Sequence, residues 1–297
     1  MKHRMPARGR RLRIAAALTA AALPLCALGE PFYGADVRVA HDDNLTLASA
    51  SADRLGDGFA TVAGHLGQFF VLENDDSVSL QAGASARTYA RYSLLDSVSI
   101  DASAQCRRKL GLGLTAPWIV LRVDATHENV RDDIRDSDML LIAFETGLRV
   151  NERLDVSGGY VHDGRFAKNA QPVVPGISGA IYDNEGDSVF ARAGYAITPS
   201  VLVDGELRVR RGDVVATTPE SLPIFLASSA IAPDPAFGPN RYGYRVRGTT
   251  RSASLAMSYA VDARSAVNVG YTFAWTSAPA GVDYRSNIVS ASFVWRY

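Results

Sequence analysis

The chain has only two cysteines, Cys26 and Cys106, in 297 residues. With Cys26 in the N-terminal segment, a single thiol is left for the rest, so internal disulfides do not hold the fold together. Long apolar runs are missing as well. No stretch after the N-terminus reaches the 18 or more apolar residues of a transmembrane helix. Lysine is scarce, with Lys109 and Lys168 the only two beyond the N-terminal segment. Positive charge is short in the body too: six of the 31 basic residues fall in the first 13 positions, leaving 25 against 31 acidic. A mildly acidic body lacks the basic face that neutralises phosphates, which excludes a nucleic-acid partner. No catalytic or cofactor motif stands out, so function has to be sought in architecture.

The N-terminus has the order of a secretory signal. Residues 1–13 are basic, Ile14 to Leu25 are almost all Ala, Leu and Ile, and Ala27-Leu28-Gly29 follows. This apolar core is shorter than the ~20 residues a spanning helix needs. Residues 1–29 are therefore expected to be a signal peptide cleaved before Glu30. Leu23-Pro24-Leu25 is a poor match to the small residues a lipoprotein site wants before Cys26.

What fills the rest is period-two alternation. From Val98, the residues Ile100, Ala102, Ala104, Cys106, Leu110, Leu112 and Leu114 share one parity. Ser99, Asp101, Ser103, Gln105, Arg107 and Lys109 share the other, with Arg108 alone out of place. Successive strand side chains point to opposite faces, so this is a ribbon with one apolar and one polar face. The same reading predicts twelve strands near 32–41, 58–72, 77–92, 97–114, 118–130, 139–150, 154–163, 188–197, 201–211, 244–260, 265–276 and 284–297. In 244–260 the apolar parity changes between Val246 and Ala253, which predicts a bulge near Gly248–Arg251 or a strand continuing above a membrane.

The connections alternate in length. Those such as Glu73–Asp76, Thr115–Pro117, Asn151–Arg153, Thr198–Ser200 and Val261–Arg264 are tight; 42–57, 131–138, 164–187 and 212–243 are long. A soluble sandwich has no reason to sort its loops this way, whereas an outer-membrane barrel has short periplasmic turns, long external loops and an even strand count. Residues 30–297 are thus expected to form one all-β, antiparallel, up-and-down membrane barrel of about twelve strands. Closure is forced by chemistry, because an open edge in lipid strands N–H and C=O groups at several kcal/mol each. Aromatics at strand ends predict an interfacial girdle: Trp118, Tyr195, Tyr259 and Tyr297 at the periplasmic side, Tyr92 and Trp275 at the external one. A secreted β-sandwich is the alternative fold.

Strand direction then assigns depth. Arg87, Arg91, Arg208 and Arg210 fall in the outer half, and Arg192, Arg245 and Arg247 near the same mouth. Guanidinium groups bind carboxylate and phosphate bidentately, and a one-sign cluster in a narrow pore concentrates the opposite ion. These seven arginines are the candidate pore-lining ligands for an anionic saccharide. The competing reading pairs them with Asp204, Glu206, Asp124 and Glu145 as a cross-linked wall, or sets them against lipopolysaccharide phosphates. The apolar stretch Pro219–Ile231 is unsuited to water and is expected to fold inward or pack on the rim. Acids at Asp132-Asp133, Asp136, Asp138 and Asp183–Asp187 read as solvated loop residues.

An enzyme reading is weaker. Tyr160-Val-His162-Asp163-Gly164 resembles loosely the base-and-nucleophile segment of outer-membrane phospholipases, but the serine and asparagine are missing. No catalytic residue, metal site or cofactor is assigned; His41-Asp42-Asp43 lacks a second ligand cluster at suitable spacing.

Two segments carry a resemblance. The ending Val289-Ser-Ala291-Ser-Phe293-Val-Trp295-Arg-Tyr297 resembles the signal read by the bacterial barrel-assembly machinery, which would engage Tyr297. Val37-Arg-Val-Ala-His41-Asp42-Asp43-Asn44-Leu45 resembles the opening of a broad class of proteobacterial outer-membrane barrels, some encoded with exopolysaccharide synthesis systems. That resemblance implies a transport or exopolysaccharide-associated envelope role in the outer membrane, with lipid and lipopolysaccharide as neighbours, and carries over no site residue. A non-conducting structural or adhesive barrel and a lipid hydrolase are the other classes to separate from it.

Overall fold

The computed structural model describes residues 29–72, 76–279 and 282–297; the expected signal segment, apart from Gly29, and most of the 73–76 turn lie outside them. Alternation along the described residues is realised as thirteen strands. They are β1 (Glu30–Asp42), β2 (Asp57–Val71), β3 (Ser77–Tyr89), β4 (Ser97–Lys109), β5 (Trp118–Val130), β6 (Ser137–Arg149), β7 (Leu154–Ala167), β8 (Asn184–Thr198), β9 (Val201–Thr218), β10 (Ala230–Pro233), β11 (Tyr242–Ala260), β12 (Ser265–Ala278) and β13 (Val282–Arg296). Each long strand pairs antiparallel with the next, β9 pairs directly with β11, and β13 returns to β1 from Gly34↔Arg296 to Asp42↔Ile288. The result is a closed twelve-stranded antiparallel barrel, with the four-residue β10 outside the ring.

Register fixes which parity faces out. In β4 and its neighbours, Val98, Ile100, Leu80, Leu121 and Val123 share the outer face and are exposed. Ser85 and Ser99 meet across the inner face at 2.8 Å, and Ser103 donates to Asp124 at 2.6 Å. The exposed large apolar residues continue around the ring through Ile142, Phe144, Val189, Leu207, Leu255, Val269 and Phe293. So much exposed apolar surface is the opposite of a soluble protein's arrangement.

The expected Asp-Asp-Asn opening sits at the seam. Asp42 accepts from Ser286 (2.7 Å), Asp43 from Asn287 (2.6 and 2.7 Å), and buried Asn44 donates to the Arg285 and Ala48 carbonyls (2.8 and 3.0 Å). These contacts tie the β1–β2 loop to β13, where the first and last strands must meet.

Several expectations need correction. The strand expected over 97–114 stops at Lys109, because Gly111 and Gly113 adopt φ of 141° and 92° and turn the chain; Leu110, Leu112 and Leu114 lie in that exposed turn. Trp118 is not a girdle residue: it shares the inner parity with Arg122 and Asp124 and lies beneath the Arg107 guanidinium at 5.1 Å. Tyr92 follows β3 in a loop and packs on Phe237 at 5.2 Å. No bulge interrupts β11, whose pairing with β9 runs unbroken from Tyr242↔Thr218 to Tyr259↔Val201. The one irregularity between β8 and β9 lies at Ala196/Thr198.

The unbroken register explains the parity change. On β9, Leu207 and Val209 face out below Arg211; on β11, Ala253 and Leu255 face out below Arg251. Above that level Val214, Ala216, Tyr244 and Val246 face in and are wholly or partly buried. The strands have not slipped. Their surroundings have changed: the inner face is now packed, and on the outer parity exposed Arg211 and Arg247 give way to Val215, packed beside Ile134 and Ile181, and to buried Thr217.

Candidate pore and its cap

What packs that interior is residues 219–241. Pro223 lies in the first turn of a short helix, α1 (Leu222–Ala227), and β10 then pairs with β11 through Ile231↔Tyr244 and Ala232↔Gly243. Ile224 and Ile231 bury against Ala216, Tyr244, Val246 and Tyr284, with Leu47 and Phe225 packed alongside. Further on, Ala236 and Phe237 pack on Leu95 and Tyr92 in the β3–β4 loop. In the ring order that loop is six strands from the β9–β11 seam in either direction. The segment therefore crosses the full diameter of the mouth. It is a cap, built from the apolar residues that looked out of place in an external loop.

A buried polar centre fixes it. Asp234, with no exposed surface, accepts two parallel bonds from Arg135 (both 2.9 Å) and one from Thr217 (2.5 Å). Arg135 also pairs with Asp132 at 2.5 Å and lies between the Tyr182 and Phe237 rings, at 4.8 and 5.5 Å. Asp132, expected as a solvated acid, is buried. Burial holds its carboxyl above the ordinary carboxylate range although Arg135 pulls it down. Burial also opposes the charge on Arg135, but Tyr182, Asp234 and Asp132 outweigh it and hold the guanidinium above its usual value. Arg165 joins cap to lumen: it donates to the Arg135 carbonyl (2.6 Å), Ser137 (2.8 Å) and Glu128 (3.2 Å) and stacks on Tyr182.

Beneath the cap lies a cavity of about 810 Å³, lined among others by Gln81, Asp101, Arg122, Asp124, Asp163 and Arg210. The seven arginines expected to line it divide into four groups. Arg192, Arg208 and Arg210 face in together on β8 and β9, but each has an acid. Arg192 bonds Glu206 at 2.6 Å and lies 3.6 Å from Glu145, Arg208 bonds Glu206 at 3.0 Å, and Arg210 clasps Asp163 at 2.6 and 2.9 Å. Between Arg192 and Arg208 sits the Phe190 ring, at 5.3 and 5.4 Å. Arg210 can reach Asp163 because Gly186 lies opposite; a Cβ there would fall on the guanidinium. This is the cross-linked wall, neutral in sum.

Arg87 faces in and lies over the Phe59 ring at 5.4 Å, with only a 3.4 Å contact to Thr61 and no acid partner among the described residues. Arg91 lies in the loop after β3, exposed, its backbone N–H held by Asp57 at 2.8 Å. Arg245 and Arg247 are a correction. With no bulge in β11 they share the outer parity of Arg251, so they do not line the lumen. Arg245 instead bonds Ser229 and the Asp183 carbonyl. The adjoining wall, β11 to β13, presents mostly hydroxyls and amides inward, including a Ser254–Thr272 bond at 2.9 Å and Asn268 to Ser292 at 3.1 Å. Arg296, on the inner parity of β13 and lining the cavity, is the charged exception on that wall.

No known family pattern matches the chain, and no curated protein matches it. Solved structures do. An outer-membrane channel from Pseudomonas putida F1 aligns over 91% of this chain and 96% of its own, at 9% identity and a TM-score of 0.54. The KdgM porin in complex with disordered oligogalacturonate aligns over 88% and 98%, at 10% identity and 0.44, and the NanC porin over 88% and 98%, at 7% and 0.47. The shared feature is the fold of outer-membrane barrels.

Proposed function

We propose that the chain is an outer-membrane channel for small polar solutes, anionic saccharides among them, whose external mouth is obstructed by the 219–241 cap. The observation that carries this reading is the polar cavity of about 810 Å³ inside a closed barrel with an apolar exterior. The tight turns and both strand termini then lie on the periplasmic side, and the cap and long loops outside. Anion preference rests on Arg87 in the outer half and on Arg107 and Lys109 near the turn end, since the β8–β9 arginines are neutralised by their own acids. The hydroxyl-lined wall of β11–β13 suits a polyhydroxyl solute. A role beside exopolysaccharide export, implied by the 37–45 resemblance, is compatible with that solute class.

In planar bilayers the purified chain is expected to show small discrete conductance steps with anion preference, and Arg87→Ser to lower that preference. Cation preference in the unmodified chain would overturn the anionic assignment. The cap itself favours a second reading, a non-conducting structural barrel; that reading requires silence from the chain both with and without its cap.

A further inference from the structure

Between the cap and the 164–187 loop, at the same end of the barrel, lies a second cavity of about 390 Å³. That is within the ~300–1,000 Å³ range of small-molecule sites. Its walls are apolar and aromatic: Val174 from the loop, Leu222 and Phe225 from α1, and Tyr242 and Tyr244 from the top of β11. Leu222 is 69% exposed at this cavity, an apolar side chain that no part of the described chain covers. Nothing in the channel reading uses this space.

One charge lines the cavity, and it is negative. Glu220 is exposed and makes no hydrogen bond or ion pair with the described residues. The two arginines that flank the β11 tyrosines are engaged elsewhere. Arg241 turns to Asp53 at 3.6 Å, and Arg245, on the outer parity, bonds Ser229 and the Asp183 carbonyl. Aromatic faces carry negative potential and attract cations, most strongly where water is excluded. Three rings and a carboxylate around an apolar hollow therefore favour a cation over an anion. The apolar walls favour one with an organic body over a bare metal or ammonium ion.

We propose that this cavity binds an organic cation with an apolar body, of the aryl or alkyl quaternary ammonium class, and that its occupant holds the cap closed. The second part follows from shared residues. Ile231 and Tyr244 line the cavity and also build the core that fixes the cap, so a ligand seated there binds the closed arrangement. A ligand that favours one state shifts the population toward it.

The test uses the full chain in neutral detergent micelles, with benzyltrimethylammonium as probe and titration by saturation-transfer NMR as readout. Saturable binding is expected. It should be roughly tenfold weaker in Glu220→Gln/Phe225→Leu and lost in Val174→Trp, whose indole would fill the hollow from the loop side. Benzenesulfonate, with the same ring and the opposite charge, is expected not to bind. No saturable binding, or equal binding by either variant, would overturn the site. Equal binding of benzenesulfonate or of neutral benzyl alcohol would overturn the cationic class. The bound probe is also expected to slow proteolysis within 219–241 several-fold, and binding without that protection would overturn the link to the cap. None of these readouts needs ion flow, so a chain that binds the probe yet never conducts would refute the channel and leave this site standing.

Discussion

Replacing residues 219–241 by a short glycine–serine link is expected to raise single-channel conductance several-fold and leave the barrel assembled. The cap spans the mouth from the β9–β11 seam to the β3–β4 loop on the far side, so its removal leaves the lumen open at that end. The barrel should survive because all twelve ring strands pair without it. A single substitution tests the same point more sharply. Asp234→Ala removes the acid that neutralises buried Arg135 and the acceptor for Thr217. Taking one partner from a buried pair costs about 3–5 kcal/mol. Asp132 still compensates Arg135 in part, so the lower end of that range is expected. That is enough to shift a closed cap toward an open population, seen as longer or larger openings and faster proteolysis within 219–241. Unchanged conductance in both variants would show that the segment does not obstruct the path.

The second large effect concerns the outer wall. Leu207 lies mid-strand on β9, 65% exposed, opposite Ala253 on the same face. Leu207→Arg is expected to destabilise the folded barrel in lipid vesicles by about 2–4 kcal/mol, the range for arginine at the bilayer midplane. Gln81→Arg, inside the cavity, is expected to change stability by less than about 0.5 kcal/mol. Urea unfolding in vesicles measures both. If the two substitutions cost the same, the inside and outside assigned here are wrong.

The barrel itself was legible in the sequence because its cause is periodic. Val98, Ile100, Ala102, Ala104 and Cys106 must share a face in any extended strand, and the loop lengths sort themselves to the two ends. Strand limits were less legible. The parity of Leu110, Leu112 and Leu114 continues that of β4, yet Gly111 and Gly113 at positive φ take them out of the strand. The arginines show where periodicity stops informing. It placed Arg192, Arg208 and Arg210 inward, but whether a guanidinium is free or paired depends on cross-strand register. Register is what sets Arg210 beside Asp163 and Arg192 between Glu145 and Glu206. Arg245 and Arg247 were misplaced for a related reason. Tyr244 and Val246 carry the apolar parity there, and an apolar residue signals burial without saying whether lipid or a cap does the burying. The Arg135–Asp234 pair, 99 residues apart in sequence, left no local trace. One hint was available, in that Pro219–Ile231 is too apolar to lie in water.

The central claim, an apolar exterior in lipid around a wet lumen, is tested most directly along β4. In a Cys106→Ser background, single cysteines at each position from 99 to 104 are labelled in intact outer membranes with a water-soluble thiol reagent. The account predicts labelling at 99, 101 and 103 and protection at 100, 102 and 104, with the opposite pattern for a lipid-soluble reagent. Equal labelling of both parities by the water-soluble reagent would contradict it.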